Sequence, residues 1–212
     1  MINKILKKIK KVIRHDFQNE KTGHDLMHLK RVLSFAKKIQ KKEGGDKDVI
    51  LISALVHDVH RTIPNPTPHQ TEHGVTASQS LFKVKEILTS CDIPDDIVMK
   101  VLEVVKYHDD FTNKNLNLET RIMQDADRLD AIGKNGLKRT LAYCKYKNIP
   151  IFDASYPLDT KSYVPGLNPI STCHYVYRTM IPHKDNLHTQ TARNMIKKDI
   201  KVLEEFVENN SS

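Results

Sequence analysis

The stretch Leu51-Ile52-Ser53-Ala54-Leu55-Val56-His57-Asp58 places a run of largely apolar residues directly before a histidine and an aspartate. Asp46 stands ahead of this run as a helix N-cap, and the pattern predicts a helix over 46–59 that is buried nearly all round. An unpaired carboxylate at the end of such a helix would cost several kcal/mol to desolvate. Asp58 therefore requires a partner, which is either a divalent cation or a buried salt bridge.

Apolar residues at helical spacing recur through most of the chain. They mark the segments 2–13, 26–39, 71–88, 94–108, 118–132 and 192–206, none of which alternates as a strand does. Prolines exclude a helix over 61–70, and further prolines make 148–169 a long surface loop. The sequence predicts an all-α fold of about eight helices, arranged as one domain over residues 1–212.

Composition restricts the class and location of the protein. The chain has 212 residues, of which 39% are hydrophobic and 28% charged, as expected of a globular domain. Its three cysteines lie far apart, which excludes a disulfide framework and favours a reducing cytoplasm. No apolar run reaches the length of a membrane span, and the N-terminus lacks the continuous apolar core of a secretory signal. A cytoplasmic protein is expected.

The net charge of +8 suggests an anionic partner such as a phosphate compound. Much of this charge lies in the stretches 4–14 and 37–42, which fit solvated helix faces as well as binding patches. A nucleic-acid-binding module is disfavoured, because the sequence has no RNA-binding aromatic motif and no zinc finger. From the charge alone, a phosphate compound and an acidic lipid surface both stay open as the partner, and so does the oligomeric state.

Two further segments carry possible metal ligands. In His24-Asp25-Leu26-Met27-His28 the two histidines are four residues apart and share a helix face, so at least one of them is a candidate ligand. The segment resembles the His-Glu-x-x-His helix of zinc proteases, but aspartate replaces the catalytic glutamate, which disfavours that class. In 121–133 three aspartates interrupt an apolar helical pattern, and Asp127 lies beside the apolar stripe as the best inward-facing carboxylate.

The order of these motifs resembles a known family. His28 in His-x-x-Arg-Val, His57-Asp58 after an apolar run, and Asp127 in Asp-Ala-Asp-Arg-Leu-Asp-Ala-Ile-Gly are similar to the HD-domain metal-dependent phosphohydrolases. The resemblance is closest to a bacterial subgroup of nucleotide pyrophosphatase-like hydrolases. It covers about residues 23–139, and the final helix fits as well. It implies an all-α HD domain with a metal-site core over 23–139 and with 148–208 packed on that core.

This resemblance implies a metal site and a reaction. His28, His57, Asp58 and Asp127 would be the ligands of one divalent ion, and such a mixed nitrogen and oxygen set suits Mn, Mg, Co, Ni, Fe or Zn. Asp58 and Arg61 are the candidate catalytic residues. The ion would activate a water molecule for attack on phosphorus. Candidate phosphate-binding residues, each of which fits a structural ion pair or a surface position equally well, are Arg31, Arg61, Arg128, Lys134, His73 and His108.

The chain departs from the subgroup at His60, where a small residue is usual. This imidazole is predicted to bind a second ion, to contact phosphate, or to point away. The Glu-Asp pair of some guanosine-polyphosphate hydrolases is absent after His57-Asp58, which counts against that assignment. The expected reaction is cleavage of a nucleoside triphosphate to the monophosphate and pyrophosphate. The alternatives are a nucleotide monophosphatase, a phosphodiesterase, or an inactive nucleotide-binding HD protein.

Overall fold

The computed structural model describes residues 2–18, 23–64, 75–110, 112–159 and 169–211. Within these ranges all regular secondary structure is helical, which confirms the predicted all-α fold. The α-helices are α1 (Ile2–Gln18), α2 (Leu26–Glu43), α3 (Lys47–Val56), α4 (Leu81–Ser90), α5 (Asp95–Tyr107), α6 (Leu118–Ala131), α7 (Lys134–Tyr146), α8 (Thr172–Tyr175) and α9 (Gln190–Asn210). None of the helices in these ranges combines the length and apolar character needed to cross a bilayer.

The chain divides into two compact units, Met1–Asp127 and Arg128–Ser212. The division falls inside α6, so the first unit holds α1 to α5 and most of α6. In the second unit α7 packs against α8 and α9. The single domain over 1–212 stays a prediction.

Helix α3 is the centre of the first unit. The carboxylate of Asp46 accepts hydrogen bonds from the backbone N–H groups of Asp48 and Val49, at 3.1 and 3.3 Å, and so fixes the start of the helix. All residues at positions 49–56 are buried, and α3 packs against α1, α2 and α5. This burial agrees with the predicted helix that is apolar nearly all round.

The end of α3 differs from the prediction of a continuous helix to residue 59. The α-helix ends at Val56, and His57–Thr62 continues as a 3₁₀ turn. A 3₁₀ turn has three residues per turn, so it redirects the side chains that follow the helix. His57 and Asp58 therefore lie on the tighter turn and not on α3 itself.

A second capped helix start fixes His28. The carboxylate of Asp25 accepts hydrogen bonds from the N–H groups of Met27 and His28, at 2.9 and 2.8 Å, so α2 begins at Leu26. The helix runs to Glu43, four residues beyond the predicted segment 26–39, and ends at Gly44 with a φ of +85°. His28 consequently lies in the first turn of α2.

Other boundaries agree less closely. Regular structure in the predicted helix 71–88 begins at Ser78 with a 3₁₀ turn that leads into α4. Residues 65–74, with most of the predicted proline loop and the start of that helix, lie outside the described residues. Of the predicted loop 148–169, residues 148–159 and 169 contain no helix, and 160–168 lie outside the described residues. Helix α7 is an addition to the helices that the sequence pattern located.

Candidate metal centre

The four predicted ligands converge within the first unit. His28 Nε2 lies 3.1 Å from Asp58 Oδ2, 3.2 Å from His57 Nε2 and 3.4 Å from Asp127 Oδ1. His57 Nε2 lies 3.3 Å from Asp58 Oδ2 and 3.9 Å from Asp127 Oδ1. Helix α2, the 3₁₀ turn and α6 thus bring together donor atoms from three distant parts of the sequence.

These separations fit the coordination sphere of one ion. Ligand atoms about 2.1 Å from a metal lie roughly 3.0 to 3.4 Å apart in octahedral or tetrahedral arrangements. His28, His57 and Asp127 offer ligand atoms that all lie within 4.8 Å of one another. Imidazole nitrogen and carboxylate oxygen are suitable ligands for Mn, Fe, Co, Ni and Zn, and carboxylate oxygen also for Mg. The residues therefore fit a divalent ion of this group.

The charges at the site also favour a cation. The side chain of Asp58 is only 3% exposed, whereas that of Asp127 is 31% exposed. Burial would raise the pKa of Asp58, but the adjacent His57 and His24 hold it well below its usual value. The pKa of Asp127 is lowered as well, because His57 and His28 outweigh the effect of burial. Both groups are carboxylates at neutral pH.

His24 belongs to the same cluster, although the family resemblance selects only His28. Its Nδ1 lies 2.8 Å from Asp58 Oδ2, and its ring meets that of His28 edge-on with centroids 5.1 Å apart. His24, His28 and Asp58 form a further group that could hold an ion. The signal for His24 was the four-residue spacing from His28, which the sequence left undecided between the two.

His60 and His108 surround the other oxygen of Asp58. His60 Nδ1 lies 4.0 Å and His108 Nε2 lies 3.9 Å from Asp58 Oδ1. Both imidazoles are buried, and their Nδ1–H groups donate to the carbonyls of His57 and Val105, at 3.3 and 2.7 Å. Burial lowers the pKa of His60 to about 4. His60 therefore does not point away, and Asp58, His60 and His108 form another possible ligand group.

The predicted phosphate-binding residues lie in different parts of the structure. Arg61 lies at the cluster, with Nε 3.7 Å from Asp58 Oδ1 and with a side chain that is 41% exposed. Arg31 is half-buried on α2. In the second unit, Arg128 Nη1 donates to the carbonyl of Asn186 at 2.7 Å, and Lys134 is exposed at the start of α7. His73 lies outside the described residues.

Helix α6 buries more carboxylates than the sequence pattern selected. Asp125 and Asp130 are 0% and 1% exposed, so both are more deeply buried than Asp127. In the second unit, Asp130 Oδ2 forms an ion pair with Arg139 Nη2 at 3.2 Å. Asp127 meets the histidine cluster, with Oδ1 3.4 Å from His28 Nε2 and 3.9 Å from His57 Nε2.

This part of the chain matches a known protein family. The HD domain family model matches residues 26–132, which hold the four convergent candidate ligands. The chain belongs to the HD domain family. This membership confirms the predicted HD-domain family and the all-α fold class, and the nucleotide pyrophosphatase-like subgroup stays a prediction.

Several relatives share most of the length of this HD-domain chain. YpgQ of Bacillus subtilis is 25% identical over 195 residues, which are 89% of this chain and 83% of YpgQ. The Lin1889 protein of Listeria innocua is 27% identical with a TM-score of 0.72, over 99% of this chain and 94% of its own. The structure of YpgQ in complex with ADP has a TM-score of 0.75 at 22% identity, over 98% and 94% of the two chains.

Proposed function

We propose that this HD-domain protein is a metal-dependent hydrolase that acts on a nucleotide. The observation that carries the proposal is that Nε2 of both His28 and His57 lies 3.1–3.9 Å from carboxylate oxygens of Asp58 and Asp127. The complex of YpgQ with ADP supports a nucleotide as the ligand class. Within this class, the motif resemblance favours hydrolysis of a nucleoside triphosphate to the monophosphate and pyrophosphate.

A divalent ion held at this cluster would polarise a phosphoryl oxygen and lower the pKa of bound water toward neutrality. His28 and His57 would hold the ion through imidazole nitrogen. Asp58 and Asp127 hold it as carboxylates, since their pKa values are lowered and neither carries a proton at neutral pH. Their two negative charges offset the charge of the ion.

Arg61 is proposed to hold the phosphate chain. Its guanidinium stays near Asp58 while much of the side chain faces solvent, so its outer N–H groups can donate to phosphate oxygens. In the proposed reaction, water adds to the α-phosphorus and the bond to the bridging oxygen breaks, so the β- and γ-phosphates leave as pyrophosphate. Phosphate-binding roles for Arg31, Arg128, Lys134, His73 and His108 stay predictions.

The test is hydrolysis of a panel of nucleoside mono-, di- and triphosphates with Mn²⁺, Co²⁺ or Mg²⁺, with phosphate and pyrophosphate separated. Asp58→Ala is assayed beside the wild type, and bound metal is measured by mass spectrometry. Asp16→Ala is the matched control, because Asp16 follows His15 in another His-Asp pair but forms a surface ion pair with Lys83 at 2.7 Å.

We expect pyrophosphate release by the wild type and by Asp16→Ala, and loss of both metal and activity in Asp58→Ala. Release of phosphate from nucleoside monophosphates alone would indicate a nucleotide monophosphatase and contradict the proposed cleavage of a triphosphate. No turnover of any nucleotide with any of these metals would overturn the nucleotide assignment.

A further inference from the structure

A cavity of about 390 Å³ lies in the first unit, where α1, α2 and α3 meet. We call it the basic cavity. It is lined by Lys10, Lys11, Ile13, Arg14, Leu26, Leu29, Lys30 and Leu55. No ligand of the metal centre is among them. We propose that the basic cavity binds a nucleotide through its polyphosphate group, at a site separate from the metal centre.

The rim of the basic cavity carries four cationic side chains. Lys10 and Arg14 are four residues apart on one face of α1, and Lys30 faces them from α2. Among the described residues, no acidic side chain forms an ion pair with any of the four cations that line the cavity. By contrast, Lys8 on the same helix pairs with Asp92. Within the part of the chain that the structure describes, the cations of the cavity are therefore available to an anion.

Placing Lys10 in the cavity beside other cations is electrostatically unfavourable. Burial lowers the pKa of Lys10, and the nearby ammonium groups of Lys37 and Lys30 lower it further. An anion in the cavity would relieve both the repulsion and the loss of hydration. Because several cations converge, a polyphosphate complements the cavity better than a single carboxylate does.

The floor of the cavity is apolar. Ile13, Leu29 and Leu55 are each 1% exposed, and Leu26 is half-buried. Such a floor can pack against a base and a ribose, and it contributes little to the binding of a small hydrated ion. The cavity volume of about 390 Å³ is also within the range of small-molecule sites. The combination of apolar floor and cationic rim matches the two parts of a nucleotide.

The test measures binding without the metal centre. ATP, inorganic tripolyphosphate and adenosine are titrated calorimetrically into the wild type and into Asp58→Ala, both in EDTA. We expect ATP to bind both proteins, tripolyphosphate to bind more weakly and adenosine not to bind detectably. Affinity for ATP should fall as salt is raised, because the contacts are charged.

A pair of double variants then locates the site. Lys10→Ala with Arg14→Ala should weaken ATP binding about tenfold or more, since two charge-assisted contacts are lost. Lys41→Ala with Lys42→Ala is the matched control, because it removes the same number of charges from exposed positions at the other end of α2. Circular dichroism and thermal melting establish that each variant is folded.

Three results would overturn the proposal. They are no ATP binding in EDTA, equal losses in the two double variants, and binding of tripolyphosphate as tight as that of ATP. The last result would indicate an anion site with no nucleoside contact. Because the assay needs neither metal nor turnover, its outcome is independent of the hydrolysis test for the metal centre.

Discussion

Asp58 connects two sets of histidines through its two carboxylate oxygens. Oδ2 faces His24 and His28, and Oδ1 faces His60 and His108. A carboxylate that is 3% exposed would be unfavourable in an apolar core, and the surrounding imidazoles make its ionised form stable. The His-Asp pair at 57–58 therefore differs from the other His-Asp pairs of the chain by the apolar run before it and by the imidazoles around its carboxylate.

The first prediction distinguishes the contribution of His28 to metal binding from that of His24. His28 is 0% exposed and its Nε2 meets ligand atoms of His57, Asp58 and Asp127, whereas His24 is half-buried and meets Asp58. We expect His28→Ala to lower the affinity for Mn²⁺ by more than about 100-fold and His24→Ala by about tenfold, the range found for residues that orient a ligand. Titration calorimetry with Mn²⁺ measures both. Equal losses would assign His24 to direct coordination.

The second prediction concerns the pH dependence of stability in the metal-free protein. Burial lowers the pKa of His60 from 6.5 to about 4. Below pH 6.5 the unfolded chain takes up a proton that the folded protein does not, so the free energy of unfolding falls as pH falls from 6.5 to about 4. His60→Asn cannot take up this proton and should lose less stability over that window.

Urea unfolding in EDTA at several pH values between 4 and 8 measures this difference. Above pH 7 both proteins should show parallel stability curves, because His60 is neutral in the folded and the unfolded chain. A variant that loses stability as steeply as the wild type between pH 6.5 and 4 would contradict the lowered pKa of His60.

At the scale of elements, caps and apolar spacing made most helices predictable. Asp46 and the apolar run after it located α3, and Asp46 is observed as its N-cap. The 3₁₀ turn after Val56 was not predictable, because His57 and Asp58 continue the local helical pattern and the turn depends on tertiary packing. Helix α7 lacked a clear signal, since its buried residues are only Gly136 and Cys144.

Like most of the helices, most of the candidate metal ligands were predictable from the sequence. His28, His57, Asp58 and Asp127 each belong to a motif with a recognisable order, and the structure brings these four together. The sequence named His60 and His108 as candidates, but their common position around Asp58 was not predictable, because no spacing pattern connects the two histidines. Their grouping depends on the 3₁₀ turn and on the end of α5 lying at the same carboxylate.

The third prediction concerns the packing of α7. A Cβ atom added at Gly136 would overlap the backbone carbonyl of Ala131, and backbone atoms cannot move aside as a flexible side chain does. We expect Gly136→Ala to lower the free energy of unfolding by about 2 kcal/mol or more, the usual cost of overpacking. Lys138→Ala, an exposed position of the same helix, should change it by less than about 0.5 kcal/mol. Similar stabilities of the two variants would contradict this packing.

At the scale of the whole molecule, the proposed ion would join segments that are far apart in sequence. The ligands come from α2, the 3₁₀ turn and α6, and all four lie within the first unit, Met1–Asp127. An ion that binds only this folded arrangement stabilises it by mass action. Its effect should therefore be strongest in the elements that supply the ligands.

The fourth prediction follows from that linkage. Mn²⁺ at about 100 times its dissociation constant stabilises by about 2.7 kcal/mol, which for a chain of this size raises the Tm by roughly 5 to 10 °C. Asp58→Ala should melt at the same temperature with Mn²⁺ or EDTA. In hydrogen exchange, Mn²⁺ should slow the amides of α2 and α6 more than those of α9, which supplies no ligand. Uniform slowing along the chain, or a Tm increase that persists in Asp58→Ala, would show that the ion acts elsewhere than at this cluster.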